Sequence, residues 1–145
     1  MTMPLDIRPG VAAIIRDDLG RVLLHRRVVG DGWAPPSGSV EPGEQVTDAI
    51  IREVMEEAAL TIRVARLVGI YSDPTYQIVD YPDGRSVHFV TCLFECQAVS
   101  GQLDGSDEGV AWEWFDLTSL PDELLPYSLV WLRDAQDEDR KLKIR

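Results

Sequence analysis

Between Gly38 and Leu60 the chain runs GSVEPGEQVTDAIIREVMEEAAL, and within it Glu53, Glu56 and Glu57 stand at i, i+3 and i+4. On a helix of 3.6 residues per turn these three carboxylates share an arc of roughly 100°. Like charges at such spacings destabilise a helix by roughly 0.2–0.5 kcal/mol per pair. A chain that keeps them there either leaves them as a solvated acidic face or sets a cation between them. The neighbouring apolar residues say where that face lies. Val46, Ile50, Val54 and Ala58 recur at i+4 spacing with Ile51 and Met55 beside them, which predicts a helix from about Val46 to Ala59 with that stripe on a core. The carboxylates border the stripe, so they are expected at the rim of a cleft.

The wider spacing adds to this. Gly38, five residues, Glu44, seven residues, Arg52-Glu53, an apolar residue, any residue, and Glu56-Glu57 resembles the Nudix box. That family hydrolyses nucleoside diphosphates linked to another group. Inside the box one position departs from the pattern: Ala59 stands where the family has glycine, ahead of the expected apolar Leu60. Alanine at positive φ would cost about 1 kcal/mol relative to glycine, or the helix ends another way. Neither outcome touches the carboxylates.

The rest of the chain reads as one domain over residues 1–145, a length that suits a single core. Val11–Ile15 and Val22–Leu24 are strand-like runs joined by Asp17-Asp18-Leu19-Gly20, which has turn chemistry, so they predict a hairpin. Gly30 to Gly43, rich in Gly and Pro, is expected to be loop. The helix start lacks a capping box, because position 45 is Gln, and Thr47 is the substitute cap. Strands are predicted over Ile62–Tyr71, Val87–Gln97 and Val110–Phe115, with a turn at Tyr81–Gly84 and a last helix over Leu125–Gln136. The charged tail from Asp137 is expected to fray. Strands before, between and after two helices indicate an α/β fold. The resemblance makes this an α/β/α sandwich around a mixed sheet, with a loop–helix–loop active site.

Composition excludes several functions. The net charge of −11 argues against a nucleic-acid surface, which draws on clustered Lys and Arg. It does not exclude a phosphorylated small molecule, because bound divalent cations invert the local field. The start MTMPLDIRPG has no signal-peptide pattern, and no apolar run is long enough to span a bilayer, so a cytoplasmic location is expected. Cys92 and Cys96 fall on one face of one strand and are expected as thiols, not a disulfide.

The resemblance implies Mg²⁺, with Mn²⁺ as a substitute, held by Glu56 and Glu57, while Glu53 is either a ligand or the general base. Mg²⁺ takes one or two carboxylates plus substrate phosphate oxygens, a set this helix can offer. Arg52 orients and partly neutralises the cluster, a structural ion pair being the alternative. Gly38 lets a loop approach the helix and present carbonyl oxygens. Ser37 precedes it, where many members have a second glycine; a positive φ there would strain it. Glu44 braces the loop or contacts metal indirectly. Glu108 lies where members place a further catalytic glutamate and is the candidate for a further ligand or base, a solvated loop carboxylate being the alternative. Arg26 or Arg27 is expected to meet phosphate, one of the two being turned away by strand alternation. Tyr71 and Tyr76, with Trp33 and Tyr81, are candidates to stack on a base. His25 and His88 are expected to be structural.

These readings converge on a Mg²⁺-dependent hydrolase of a phosphoanhydride bond in a nucleoside diphosphate derivative of the ADP-ribose or nucleotide-sugar type. The substrate choice leans on Pro74, one residue short of the offset at which the ADP-ribose-cleaving subgroup has a proline. The alternatives are a nucleoside triphosphate pyrophosphohydrolase, oxidised nucleotides included, and a non-catalytic nucleotide-binding domain. The expected partner is a small nucleotide, with no nucleic acid or membrane. Because dimers are frequent in the family, a homodimer is also an expectation.

Overall fold

A computed structural model describes residues 5–27, 31–103 and 111–145. The central strand β1 (Asp6–Arg16) turns at Asp17–Gly20 into β2 (Val22–Arg27). Asp17 builds the turn, its carboxylate accepting from the Leu19 and Arg21 N–H groups at 3.0 and 2.8 Å, while Gly20 takes φ 77°. There follow β3 (Gly32–Ala34), β4 (Ser37–Ser39), α1 (Val46–Ala58), β5 (Leu60–Tyr71), α2 (Pro74–Gln77), β6 (Ile78–Asp80) and β7 (Ser86–Gly101). The chain closes with β8 (Trp112–Phe115), α3 (Pro126–Ala135) and β9 (Lys143–Ile144). The main sheet path is β3-β2-β1-β7-β5-β9; β4 pairs with β1, β6 with β7 and β8 with β2. The β1–β7 and β5–β9 pairs are parallel and the others antiparallel, so the sheet is mixed.

Val11–Ile15 is a continuous apolar run because β1 is covered on both faces. Val11, Ala13 and Ile15 pack with Ala49, Ile50, Val54 and Ala58 of α1. Ala12 and Ile14 point the other way, onto Trp131, Leu132 and Ala135 of α3. Strand alternation thus sorts one run between two helical layers. The result is the expected α/β/α sandwich. Among the described residues no helix is long and apolar enough to cross a membrane. Cys92 and Cys96 are free thiols, both on the α1 side.

Several local expectations need correction. The Gly30–Gly43 stretch is not all loop. Gly32–Ala34 pairs with β2, and Ser37–Ser39 lies against Ala12, Val11 and Gly10 of β1. Strands of three residues are too short to show alternation. The apolar stripe of α1 is Ala49, Ile50, Val54 and Ala58, whereas Val46, Ile51 and Met55 are exposed. Thr47 is not the cap: Gln45 is, and it makes no side-chain capping bond. Ala59 does adopt the left-handed cap at φ 57°, its N–H bonding the Met55 carbonyl at 3.1 Å. A short helix α2, absent from the sequence reading, is capped by the Asp73 carboxylate accepting from the Thr75 N–H.

The tail does not simply fray. Lys143 and Ile144 extend the sheet beside Gly69 and Ile70. The Arg145 N–H bonds the Ile70 carbonyl at 2.9 Å, and its carbonyl accepts from the Ser72 N–H at 2.7 Å. Its guanidinium donates to Asp134 at 3.0 and 3.1 Å. A charged composition thus hid a strand whose anchors are distant in sequence.

Candidate active site

Burial of Ala49, Ile50, Val54 and Ala58 fixes the rotation of α1, and that rotation turns Glu53 and Glu57 toward β4. The two carboxylates line a cavity of about 300 Å³ together with Arg27, Ser37, Gly38 and Ser39. Glu53 sits directly over Gly38. A β-carbon at that position would lie 2.5 Å from each of the two Glu53 carboxylate oxygens and closer still to its Cδ. Gly38 is therefore required by space, not by an unusual φ as its loop setting first suggests. Ser37 does not have a positive φ, so the residue in the second glycine position is unstrained.

Arg52 locks the helix to the loop. Its Nε and Nη2 donate to the Glu44 carboxylate at 2.7 and 2.9 Å, and Nη2 also reaches the Ser39 carbonyl at 3.1 Å. Its Nη1 donates to Glu53 at 3.1 Å and to Glu56 at 3.2 Å. Such a planar fork suits one carboxylate gripped at two points with others beside it. The Arg52 hydrogen bonds, followed by the Glu41 N–H, hold the Glu44 carboxyl down at about 2. Glu44 is spent as a brace for the turn at Gly43, which takes φ 84°.

Burial, and then the charge of Glu53 and a hydrogen bond with it, push the Glu57 carboxyl up to about 8. Two close carboxylates in a cavity wall cannot both ionise cheaply without a cation. Glu56, by contrast, carries a 60% exposed side chain drawn out onto Arg52, and it does not line the cavity. Among the described residues no group of three His, Cys, Asp or Glu side chains is arranged to hold a metal ion as it stands. Mg²⁺ does not require three, since one or two carboxylates with substrate oxygens suffice. A hard-oxygen donor pair, one member burdened by the other's charge, fits that ion.

The remaining expected residues divide clearly. Arg27 lines the cavity, donating to Ser37 Oγ at 3.1 Å and to the Tyr127 hydroxyl at 3.4 Å. Arg26 faces away and pairs with Asp31 at 3.0 Å and Glu123 at 2.7 Å. Tyr76 and Tyr81 line the cavity. Tyr71 does not: it is buried in the core under α3, its hydroxyl donating to Asp134 at 2.8 Å. Trp33 packs edge-on against Phe115, 5.0 Å between ring centres. Glu108 lies outside the described residues. His25, stacked 4.5 Å from Trp112, is brought down to about 4 by burial and then by the charge of Arg27, so it stays neutral. His88 Nε2 meets the Ser72 carbonyl at 2.6 Å.

Sequence reasoning missed the far wall, where Gln77, Phe89, Thr91, Tyr127 and Trp131 join Tyr76. These residues come from α2, β7 and α3. The only signal was the shared parity of Phe89 and Thr91 along a strand.

A family model described as the NUDIX domain matches residues 6–135. An ADP-ribose pyrophosphatase of Methanocaldococcus jannaschii is 35% identical over 121 residues, covering 81% of this chain and 68% of that one. An RNA pyrophosphohydrolase of Novosphingobium aromaticivorans is 28% identical over 156 residues, covering 95% of both chains. Among solved structures, an ADP-ribose pyrophosphatase from Streptococcus suis superposes with a TM-score of 0.71 at 22% identity, covering 95% of this chain and 98% of that one. That likeness shows the fold.

Proposed function

Because this chain belongs to the NUDIX family, we propose that Glu53 and Glu57 hold a divalent cation, Mg²⁺ or Mn²⁺, against the diphosphate of a nucleoside diphosphate derivative. The protein is a pyrophosphohydrolase, in keeping with the relatives it matches. The observation that carries the site assignment is the seating of Glu53 over Gly38, beside Glu57, in the wall of the cavity. When bound, the cation supplies charge neutralisation at the phosphate oxygens and a more acidic water.

The chain's own groups do the rest. Arg27 enters the same cavity and can donate to a phosphate oxygen from its position on Ser37. Arg52 fixes the direction of Glu53 through its Nη1. A carboxylate of the cavity takes the proton of the attacking water. The new P–O bond forms as the anhydride P–O bond breaks, and the leaving phosphate keeps the electron pair. Core burial on one face of α1 makes the carboxylates' support rigid, which an ordered site needs.

For substrate we favour ADP-ribose or a nucleotide sugar, supported by the 35% identical relative with an ADP-ribose name. The net charge of −11 speaks against long RNA. A panel of ADP-ribose, nucleotide sugars, nucleoside triphosphates and 5′-triphosphorylated RNA tests this with and without EDTA. The expected result is a nucleoside monophosphate plus a sugar phosphate, abolished by EDTA and restored by Mg²⁺. Pyrophosphate release from triphosphates alone would overturn the substrate class. Hydrolysis that survives thorough chelation would overturn the metal assignment.

A further inference from the structure

The strand β9 buries little apolar surface. The side chains of Leu142 and Ile144 are 54% and 71% exposed, so packing does not hold this segment in place. Polar contacts hold it instead. The Arg145 N–H donates to the Ile70 carbonyl at 2.9 Å, and its carbonyl accepts from the Ser72 N–H at 2.7 Å. Its guanidinium grips the buried carboxylate of Asp134 at 3.0 and 3.1 Å. Lys143 adds ion pairs to Asp137 at 2.6 Å and to Asp139 at 3.2 Å. Gly69 leaves the room that β9 needs: a β-carbon there would lie 2.6 Å from the Lys143 carbonyl oxygen and 2.9 Å from its Cβ.

These contacts fix the start of α2. Ser72 has its N–H on Arg145 and its carbonyl 2.6 Å from His88 Nε2, and the next residue, Asp73, caps the helix. A helix of four residues does not hold itself in water, because its nucleation costs more than its few bonds return. Its direction is therefore set from its ends, by Ser72 before it and by Gln77, whose amide pairs with Thr91 Oγ1 at 3.1 Å. Between them stands Tyr76, which lines both the main cavity and a smaller one that Arg145 also lines.

We propose that β9, through Arg145, holds Tyr76 in the wall of the substrate cavity, which makes Arg145 a positioning residue for substrate binding. The assignment rests on the reading of that cavity as the nucleotide site. Arg145 does not line the main cavity itself and acts through Ser72 and α2. Releasing it lets Tyr76 leave the wall and costs binding more than chemistry, since Gly38, Glu53 and Glu57 belong to β4 and α1.

The test compares the wild type with Arg145→Ala, Arg145→Lys and a variant lacking Lys143–Arg145, by steady-state kinetics and amide hydrogen exchange below every melt. The substrate is the anhydride that the wild type cleaves fastest in the panel above. Removing Lys143–Arg145 should raise KM between about twofold and about tenfold, the worth of one aromatic contact, with kcat within about twofold. Exchange at the Thr75, Tyr76 and Gln77 amides should quicken about fivefold, as for one lost hydrogen bond. Arg145→Ala should move both readouts the same way by less, and it serves if the shorter chain does not fold. Arg145→Lys, which can still donate to Asp134, should recover most of the change. Arg16→Ala breaks the 3.0 Å pair with Glu95 elsewhere in the sheet, and it should lower Tm while moving neither readout. Unchanged KM or unchanged exchange in the folded variants overturns the proposal, as does an equal rise in KM for Arg16→Ala. Exchange needs no substrate, so a panel without hydrolysis, together with faster exchange at α2, would sink the reaction and leave the brace standing.

Discussion

Gly38→Ala adds one methyl group at the point where loop and helix meet. Its carbon would stand 2.5 Å from both Glu53 carboxylate oxygens, about 1 Å inside ordinary van der Waals contact. Glu53 must then swing away, or β4 must lift from β1, where Gly38 pairs with Val11. Overpacking of this kind costs roughly 1–3 kcal/mol. For a domain of this size that lowers Tm by several degrees. The catalytic effect should be larger than the thermal one, because displacing a positioned group by about 1 Å can cost on the order of 100-fold. The experiment pairs a thermal melt with turnover of the preferred anhydride at saturating Mg²⁺. We expect kcat down by about two orders of magnitude and a modest fall in Tm. Wild-type kcat with an unshifted melt would show that Glu53 does not sit where the chemistry occurs. Ser37→Ala is the control, since it removes one hydroxyl bonded to Arg27 and leaves the seat of Glu53 untouched.

Three further outcomes can be checked by simple measurements. Glu57→Gln should lower kcat by orders of magnitude yet raise the Tm of the metal-free protein; the Glu57 carboxyl is pushed up to about 8, so in the folded wild type its ionisation is resisted. The sign follows: metal-free wild type loses stability as pH climbs from the unfolded carboxyl value, about 4.3, toward 8, and the glutamine form does not, so melts in EDTA should diverge over that window. Ala59→Gly should stabilise by about 1 kcal/mol, because φ 57° burdens alanine and not glycine, and a fall in Tm would refute that account of the cap. Tyr71→Phe should cost roughly 1.5–3 kcal/mol in denaturant unfolding at pH 7, the worth of a hydrogen bond to a buried carboxylate. Burial pushes the Asp134 carboxyl up, but its bonds from Arg145 and Tyr71 bring it net below the ordinary value. That contribution is therefore present above the unfolded value of about 3.9 and lost as pH falls through the lower folded one, so the Tyr71→Phe deficit should shrink at pH 3.

The carboxylate face beside the Gly38 loop was legible in the sequence because its parts are local. Gly38, Glu44, Arg52, Glu53 and Glu57 lie within twenty residues, and a helix converts that spacing directly into a face. The far wall of the cavity was not legible for the opposite reason. Gln77 meets Thr91 across the β6–β7 turn, and Trp131 arrives from a helix forty residues later. No period in the sequence encodes such a meeting. The same holds for Tyr71, whose aromatic ring suited a base as well as a core; only its partner Asp134, sixty-three residues away, settles which. The three-residue strands and the β9 anchor failed for a related reason, since their stability comes from the strand they join and not from their own pattern.

Arg52 explains how so many carboxylates can share one short helix. It divides the carboxylates of the loop and the helix into one that it grips at two points and two that share a single donor group. Glu44 and the Ser39 carbonyl take its Nε and Nη2, which ties the loop to the helix. Glu53 and Glu56 share its Nη1. The two that share are held very differently. Glu53 is confined beneath Gly38, whereas Glu56 lies on the open side with only an exposed pair to lose. Such exposed pairs are worth roughly 0–1 kcal/mol. Exchanging Arg52 for a divalent cation would therefore cost Glu56 little, while Glu53 cannot leave its seat. The cluster thus confines Glu53 by packing against Gly38 and leaves Glu56 on the open side, held by one exposed pair.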